Sequence, residues 1–399
     1  MMPQQSVLEK ILIWALCALL FCIPGSQWLS TRVLIVVLAI SLFAGRYNFQ
    51  LLFYRAWDVG FYLLVLLAGL IYTANLDLGL RVLETSFSLL AVPFIFSKIP
   101  VIDDKLFNRL YLSFALGLVA AGIVALSNAF YQYSTTHEIN VFFFYNLTQI
   151  IDSHPTYFAY YLIFALTVVL YKLYYETPVV SVAISVCLAI FFFIVLTLTG
   201  GSTAFISLLL ILSFFILKYT LENTTRNKKV VLLLVCFMLV ILFVMNSADY
   251  WYEQLALQSD YWERSELWKS AILANSNPLI GVGTGDYTSV LNEYYRAHGL
   301  SEFAESSYNS HNQFTQVYLS NGLIGLLAII LISGRPLYLA LRDRFPFGIL
   351  IFFPIVIYGM NEVILGRFQG VIFFVLMHQL LIAYYGSADQ FAALKAGQN

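Results

Sequence analysis

The side chains able to do acid–base or anion chemistry in this sequence are few and clustered. Tyr308-Asn309-Ser310-His311-Asn312-Gln313-Phe314 sets an imidazole at the start of an apolar run. Histidine is the side chain whose ordinary pKa permits proton transfer near neutral pH, so His311 at such a place can deprotonate an arriving hydroxyl. The residues alone also allow a histidine that merely sits at an interfacial helix start. The crowding of Asn309, Ser310, Asn312, Gln313 and Gln316, where apolar side chains would cost less in a membrane, favours chemistry.

Cations and one acid supply the remaining candidates. Arg264 offers a fixed fork that stays charged and suits phosphate oxygens, or alternatively a salt bridge to Glu263 or Glu266. Arg81, Arg296 and Arg367 stand near the ends of apolar runs or in the same polar stretch as Arg264, and are candidate substrate contacts, as is Asn312 beside the histidine. In Asp152-Ser153-His154-Pro155-Thr156-Tyr157 a second histidine precedes a helix-opening proline, which reads as a capped helix start or as a binding residue. Glu362, in Glu362-Val363-Ile364-Leu365-Gly366-Arg367, is an acid beside an apolar run and requires a partner, with Arg367 and Arg264 the candidates. Gly281, Gly283 and Gly285 lack both the Gly-x-Gly-x-x-Gly spacing and a preceding strand, so they predict a tight turn at the membrane surface rather than a dinucleotide loop. Gly322 and Gly325, three apart, predict close approach by another helix. The histidines are scattered and no carboxylates fall at ligand spacing, so neither a metal site nor a cofactor is expected.

The elements that must hold these residues follow from composition. Of 399 residues 60% are hydrophobic and only 11% charged, too little polar surface for a water-soluble body of this size. At about 20 residues per span the apolar material suffices for about twelve membrane helices. They are expected near 8–24, 30–45, 57–73, 80–97, 110–131, 155–174, 179–198, 203–220, 229–246, 313–333, 347–365 and 370–386. The first run lacks a small-residue cleavage site and is expected to stay as a span. Net charge is −1, which gives nucleic acid no basic field to meet. The four cysteines lie inside apolar runs as small hydrophobes.

Positive charge sets the orientation. With the N-terminus inside, most lysines and arginines fall on the cytoplasmic side, including the Arg226-Asn227-Lys228-Lys229 and Arg342-Asp343-Arg344 clusters; Arg32, Arg81, Arg264, Lys269, Arg296 and Arg367 remain outside. Both termini are therefore expected in the cytoplasm. The chain divides into a first bundle (1–246), a long external loop (247–311) and a last group of spans with a short tail (312–399). The loop predicts an amphipathic helix over 261–274, with Tyr261, Trp268 and Ile272 on one face, and a short helix over 288–296.

The order His311-Asn312, nine residues, Gly322, two residues, Gly325 resembles the signature of the O-antigen ligase and polymerase superfamily. Arg264 with Trp268, and Pro278-Leu279-Ile280-Gly281-Val282-Gly283-Thr284-Gly285, resemble that family's external-loop motifs in order and spacing. The strings around His154 and from Glu362 to Gly370 resemble segments of its Bacteroidota branch. One position departs. Ser202 stands where family members commonly carry an arginine that helps bind a lipid diphosphate. The resemblance implies an all-α, polytopic membrane helix bundle related to GT-C-type folds, in a bacterial inner membrane, with its site facing the periplasm. It implies an inverting, metal-independent transferase without a cofactor, moving a glycan from undecaprenyl diphosphate to an acceptor hydroxyl such as the lipid A core, among membrane lipids. His311 would activate the acceptor and Arg264 would stabilise the leaving diphosphate. The polymerase reaction shares these motifs. A lipid-linked-glycan transporter predicts internal repeats and broken helices instead, and a non-catalytic family member is the reading that Ser202 favours.

Overall fold

The computed structural model describes residues 7–44, 48–99, 101–222, 225–246 and 260–396. Residues 247–259 of the external loop and Arg46, as well as the side chains of Tyr261 and Ser202, lie outside the described residues. The described chain is helical without a strand: α1 (Val7–Cys22), α2 (Gln27–Phe43), α3 (Phe49–Gly69), α4 (Leu76–Thr85), α5 (Phe87–Phe96), α6 (Asp104–Thr136), α7 (Phe144–Thr148), α8 (Pro155–Tyr174), α9 (Val182–Thr199), α10 (Ser202–Leu221), α11 (Arg226–Asn246), α12 (Asp260–Leu273), α13 (Tyr287–Ala297), α14 (Ser301–Glu305), α15 (Gln313–Arg342), α16 (Pro346–Asn361) and α17 (Phe368–Ala396). Every one of the twelve expected runs falls on helix.

Seven segments among the described residues are long and apolar enough to cross a membrane: α3, α4 with α5, α6, α8, α9, α10 and α15. Shorter apolar stretches are α2, α16 and residues 368–384 of α17. α1, with 16 residues, is about 24 Å long against a hydrocarbon core of about 30 Å. Helix starts follow their polar caps. Asn48, Asn75, Asp103 and Ser181 each accept a hydrogen bond from the backbone N–H three residues on, satisfying a donor the helix cannot.

The chain forms two compact units that interleave along the sequence. The first comprises Met1–Phe43, Asp103–Ala256 and Ile349–Pro354. Its centre is α8, buried on nearly every side as an all-round apolar helix must be. Lys172 near the end of α8 pairs with Asp104 at 2.8 Å, and Tyr111 of α6 donates to the Ala165 carbonyl.

The second unit comprises Ala44–Ile102, Leu257–Gly348 and Ile355–Asn399. Here α15 packs on α3, and α5 on α17. Helices α12, α13 and α14 bury Leu267, Ala271, Leu291, Tyr295, Phe303 and Ala304 against Leu319 of α15. The face of α12 that packs is thus Leu267, Ser270 and Ala271, while Ile272, on the face expected to lie on the bilayer or the bundle, is 48% exposed. Small Ala271 and Ser270 let the helix approach closely, which periodicity of bulky residues does not reveal. The short helix expected over 288–296 is present as α13.

Candidate functional site

The site is built on the C-terminal end of α16. The last carbonyls of a helix have no partner within it and carry its negative partial charge, so they draw donors and cations. Asn312 donates its Nδ2 to the Met360 carbonyl at 3.0 Å, while its Oδ1 caps α15 by accepting from the Phe314 and Thr315 N–H groups. Arg264, one residue along, donates through Nη1 to the Asn361 carbonyl. One residue further, Glu362 Oε2 lies 3.5 Å from Nδ1 of His311. Three consecutive positions thus gather Asn312, Arg264 and His311 from different parts of the chain.

His311 is held and yet accessible. Its backbone adopts φ 43°, the left-handed region that costs a non-glycine residue about 1–2 kcal/mol. The frame that enforces this is polar: the His311 N–H donates to Asn309 Oδ1 at 2.8 Å, and the N–H of buried Ser310 donates to Gln316 Oε1 at 3.2 Å. The Tyr308 ring meets the imidazole edge-on at 5.7 Å. The imidazole remains 31% exposed and Glu362 17%. Although Nδ1 is within 3.5 Å of the carboxylate, its angle makes no hydrogen bond and Nδ1 has no other partner. The contact is a close approach with room to tighten, as acid–base pairs commonly do once substrate is bound.

A cavity of about 190 Å³ is lined by residues that follow this pair in sequence, Gln313, Gln316 and Ser320 of α15 and Val363, Leu365 and Gly366, together with Arg81 of α4 and Tyr287 of α13. Arg81 therefore shares a cavity with residues that follow His311 in sequence. Arg296, in the last turn of α13, and Arg367, just before α17, are exposed and make no ion pair or side-chain hydrogen bond among the described residues. Glu362 takes His311 and the Val363 N–H among its partners.

Residues 183–330 match the family model described as O-antigen ligase. Over that stretch the chain is similar to the O-antigen ligase family, which supports the superfamily resemblance of its motifs. No curated protein matches it. Its seven long apolar helices among the described residues are those of a multi-pass membrane protein. The matched stretch holds Arg264, the glycine turn, His311 and Gly322, while Arg81, His154, Glu362 and Arg367 lie outside it.

His154 lies in the first unit, as the cap of α8. Its Nδ1 accepts from the Thr156 N–H at 3.3 Å, which leaves Nε2 as the protonated nitrogen, 2.6 Å from the Tyr145 hydroxyl. Both ring nitrogens are thereby engaged. At the departing position, Gly200 ends α9 with φ 63° and Ser202 opens α10.

The glycines do more than the spacing suggests. Gly322 is a break inside α15, at φ 62° and ψ −156°. Backbone groups freed in a membrane helix must find partners within the protein. The turn over 278–283 provides them: Val282 and Gly283 N–H donate to the Leu319 and Ser320 carbonyls, and Leu323 and Ile324 N–H donate to those of Pro278 and Leu279. A Cβ on Gly322 would stand 2.4 Å from the Leu279 carbonyl, and one on Gly281 2.5 Å from Asn321 N. The close neighbour of Gly322 is therefore this turn and not another helix. Gly325 faces Asn321 and Val317 of its own helix across the break.

Sequence reading also missed a second polar cluster. Asp58 of α3 accepts from Arg335 and contacts His378 of α17, each at 2.8 Å, with Gln379 donating to the Arg55 carbonyl. The available signal was an ionisable residue inside each of two apolar runs.

Proposed function

We propose that the chain is an O-antigen ligase-type glycosyltransferase. It moves a glycan en bloc from undecaprenyl diphosphate to an acceptor hydroxyl, such as that of the lipid A core, at the periplasmic face of the bacterial inner membrane. The observation that carries this reading is the pairing of half-exposed His311 with Glu362 on the helix end that also holds Arg264.

The geometry suits an inverting displacement. With Nδ1 turned to the carboxylate, Nε2 is the nitrogen left to take a proton. The acceptor oxygen gives its proton to Nε2 and bonds to the anomeric carbon. The bond from that carbon to the diphosphate oxygen breaks, and the electron pair leaves with the lipid diphosphate. Arg264 stabilises that growing charge, a role that needs no metal ion. The lysine and arginine bias supports a periplasmic site and cytoplasmic termini.

The test is transfer from purified undecaprenyl-diphosphate glycan to candidate acceptors in nanodiscs, with EDTA present, comparing wild type with His311→Ala and Arg264→Ala. Activity that survives chelation and disappears in both variants supports the reading. Growth of the lipid-linked chain without transfer to the core would make the protein a polymerase. Movement of the donor across the bilayer without transfer to any acceptor would replace the transferase with a transporter.

A further inference from the structure

We propose that the cavity lined by Arg81 and Gln316 is a subsite for a singly charged acidic sugar, held through its carboxylate by Arg81 and through an oxygen by Gln316. As a part of catalysis this rests on the transferase reading; as a binding site it does not.

Charge is the first argument. Among the fifteen residues lining the cavity Arg81 is the one that carries a charge, and none is acidic. Arg81 is exposed and has no ion pair or side-chain hydrogen bond among the described residues. A guanidinium at a cavity mouth with no counter-ion suits a ligand carboxylate, which it grips with two parallel N–H donors. One formal positive charge matches one negative charge. A diphosphate carries more, and Arg264 is committed to the Asn361 carbonyl, away from the cavity lining.

The second argument is an orphan donor. Gln316 is 5% exposed, and its Oε1 accepts from the Ser310 backbone N–H at 3.2 Å with the Ser310 hydroxyl at 3.1 Å. A backbone N–H can only donate, so the amide orientation is determined, and Nε2 is the end left over. That nitrogen is buried and has no partner. A buried donor without an acceptor is costly, and an oxygen of a bound ligand would remove the cost.

The hydroxyls sharpen the choice. Thr284 donates to the Leu66 carbonyl and takes the Asn321 amide, and Ser320 is bonded within its own helix. Arg81 and Gln316 thus supply a charged fork and an unpartnered N–H, in a lining that also carries the Tyr62, Thr85 and Tyr287 hydroxyls and the Gln313 amide. A uronate-type sugar offers a carboxylate for the first and a ring or hydroxyl oxygen for the second. Gln316 also holds Ser310, the residue before His311, so occupancy of this subsite bears directly on the seat of the imidazole.

The experiment is saturation-transfer NMR on the full chain in nanodiscs with three probes: glucuronate, glucose and inorganic pyrophosphate. Glucuronate is expected to bind wild type at least about tenfold more tightly than it binds Arg81→Gln or Gln316→Glu. Arg81→Lys, which keeps the charge without the fork, is expected in between, and glucose binding is expected to be weak and alike in all. Because Arg81 is exposed, its variants keep the fold. Equal glucuronate binding by wild type and Arg81→Gln would overturn the proposal, as would displacement of glucuronate by an equal concentration of pyrophosphate, which would give the cavity to a diphosphate. A protein that binds glucuronate through Arg81 but transfers nothing would leave the subsite standing while the transferase reading falls.

Discussion

His311 stands 3.5 Å from the Glu362 carboxylate at the first turn of α15, with Arg264 on the adjoining carbonyl. Toward the other end of the same helix, Arg335 stands 2.8 Å from the Asp58 carboxylate, which His378 approaches equally closely. Each cluster is a histidine, a carboxylate and an arginine. The first is partly open to solvent, long in its contacts and seated on a left-handed backbone. In the second, Asp58 and His378 have no exposure at all. Charges taken fully out of water must be closely paired to exist there, and a substrate hydroxyl has no way in. The same residue types therefore serve cohesion where contacts are tight, and the loose, reachable cluster is the one that the proposed transfer reaction uses.

Exchanging the perturbation between the clusters is the sharpest way to break this contrast. His311→Ala should lower the transfer rate by about 10²- to 10⁴-fold with little change in unfolding temperature. His378→Ala should do the reverse, leaving turnover per folded molecule unchanged; rate and thermal unfolding measured on both proteins decide. A large rate loss in His378→Ala would merge the two clusters into one machine.

Stability should separate them next. Asp58→Ala leaves the Arg335 guanidinium buried without its carboxylate and should cost about 3–5 kcal/mol, whereas Glu362→Ala at the open cluster should cost under about 1 kcal/mol. Denaturant titration in detergent measures both.

A third perturbation falls on the helix that joins the clusters. Gly322→Ala adds a side chain at a left-handed φ and against the Leu279 carbonyl. The strain should cost at least about 1–2 kcal/mol, with transfer falling as the turn shifts. Gly334→Ala on the same helix, where a Cβ meets nothing, should be neutral or stabilising by about 0.5–1 kcal/mol. If Gly322→Ala is as well tolerated, the break does not hold the site.

The smallest effect belongs to the partly exposed ion pairs of Glu222, which extend the comparison toward solvent. Burial acts to raise the carboxyl pKa of Glu222, but the Lys218 and Lys228 ammonium groups outweigh it and hold it below the ordinary glutamate range. A depressed folded pKa means stability that is present at neutral pH and lost as pH falls through that value. Glu222→Gln should therefore be less stable than wild type at pH 7 by at most about 1 kcal/mol, with the gap closing on acidification. Unfolding temperature against pH reads this directly.

Much of this was written locally. Hydropathy along the chain and the alternation of apolar runs with polar caps determined an all-helical membrane protein, because span length and helix starts depend on neighbours in sequence. The positions of His311, Arg264 and the glycine turn were legible for the same reason, as residue types in a fixed order. What the turn does was not legible, since its partners are backbone groups freed by a break at Gly322 that no apolar count registers. The polar neighbours of His311 marked it in the sequence, whereas His378 lay unread inside an apolar run. Tertiary structure alone brought Glu362 to one and Asp58 to the other, and left Gln316 with a donor facing no acceptor. The reason is physical: what a titratable group can do depends on its distance to charge and its access to water, and both are set by helices that meet only in the folded chain.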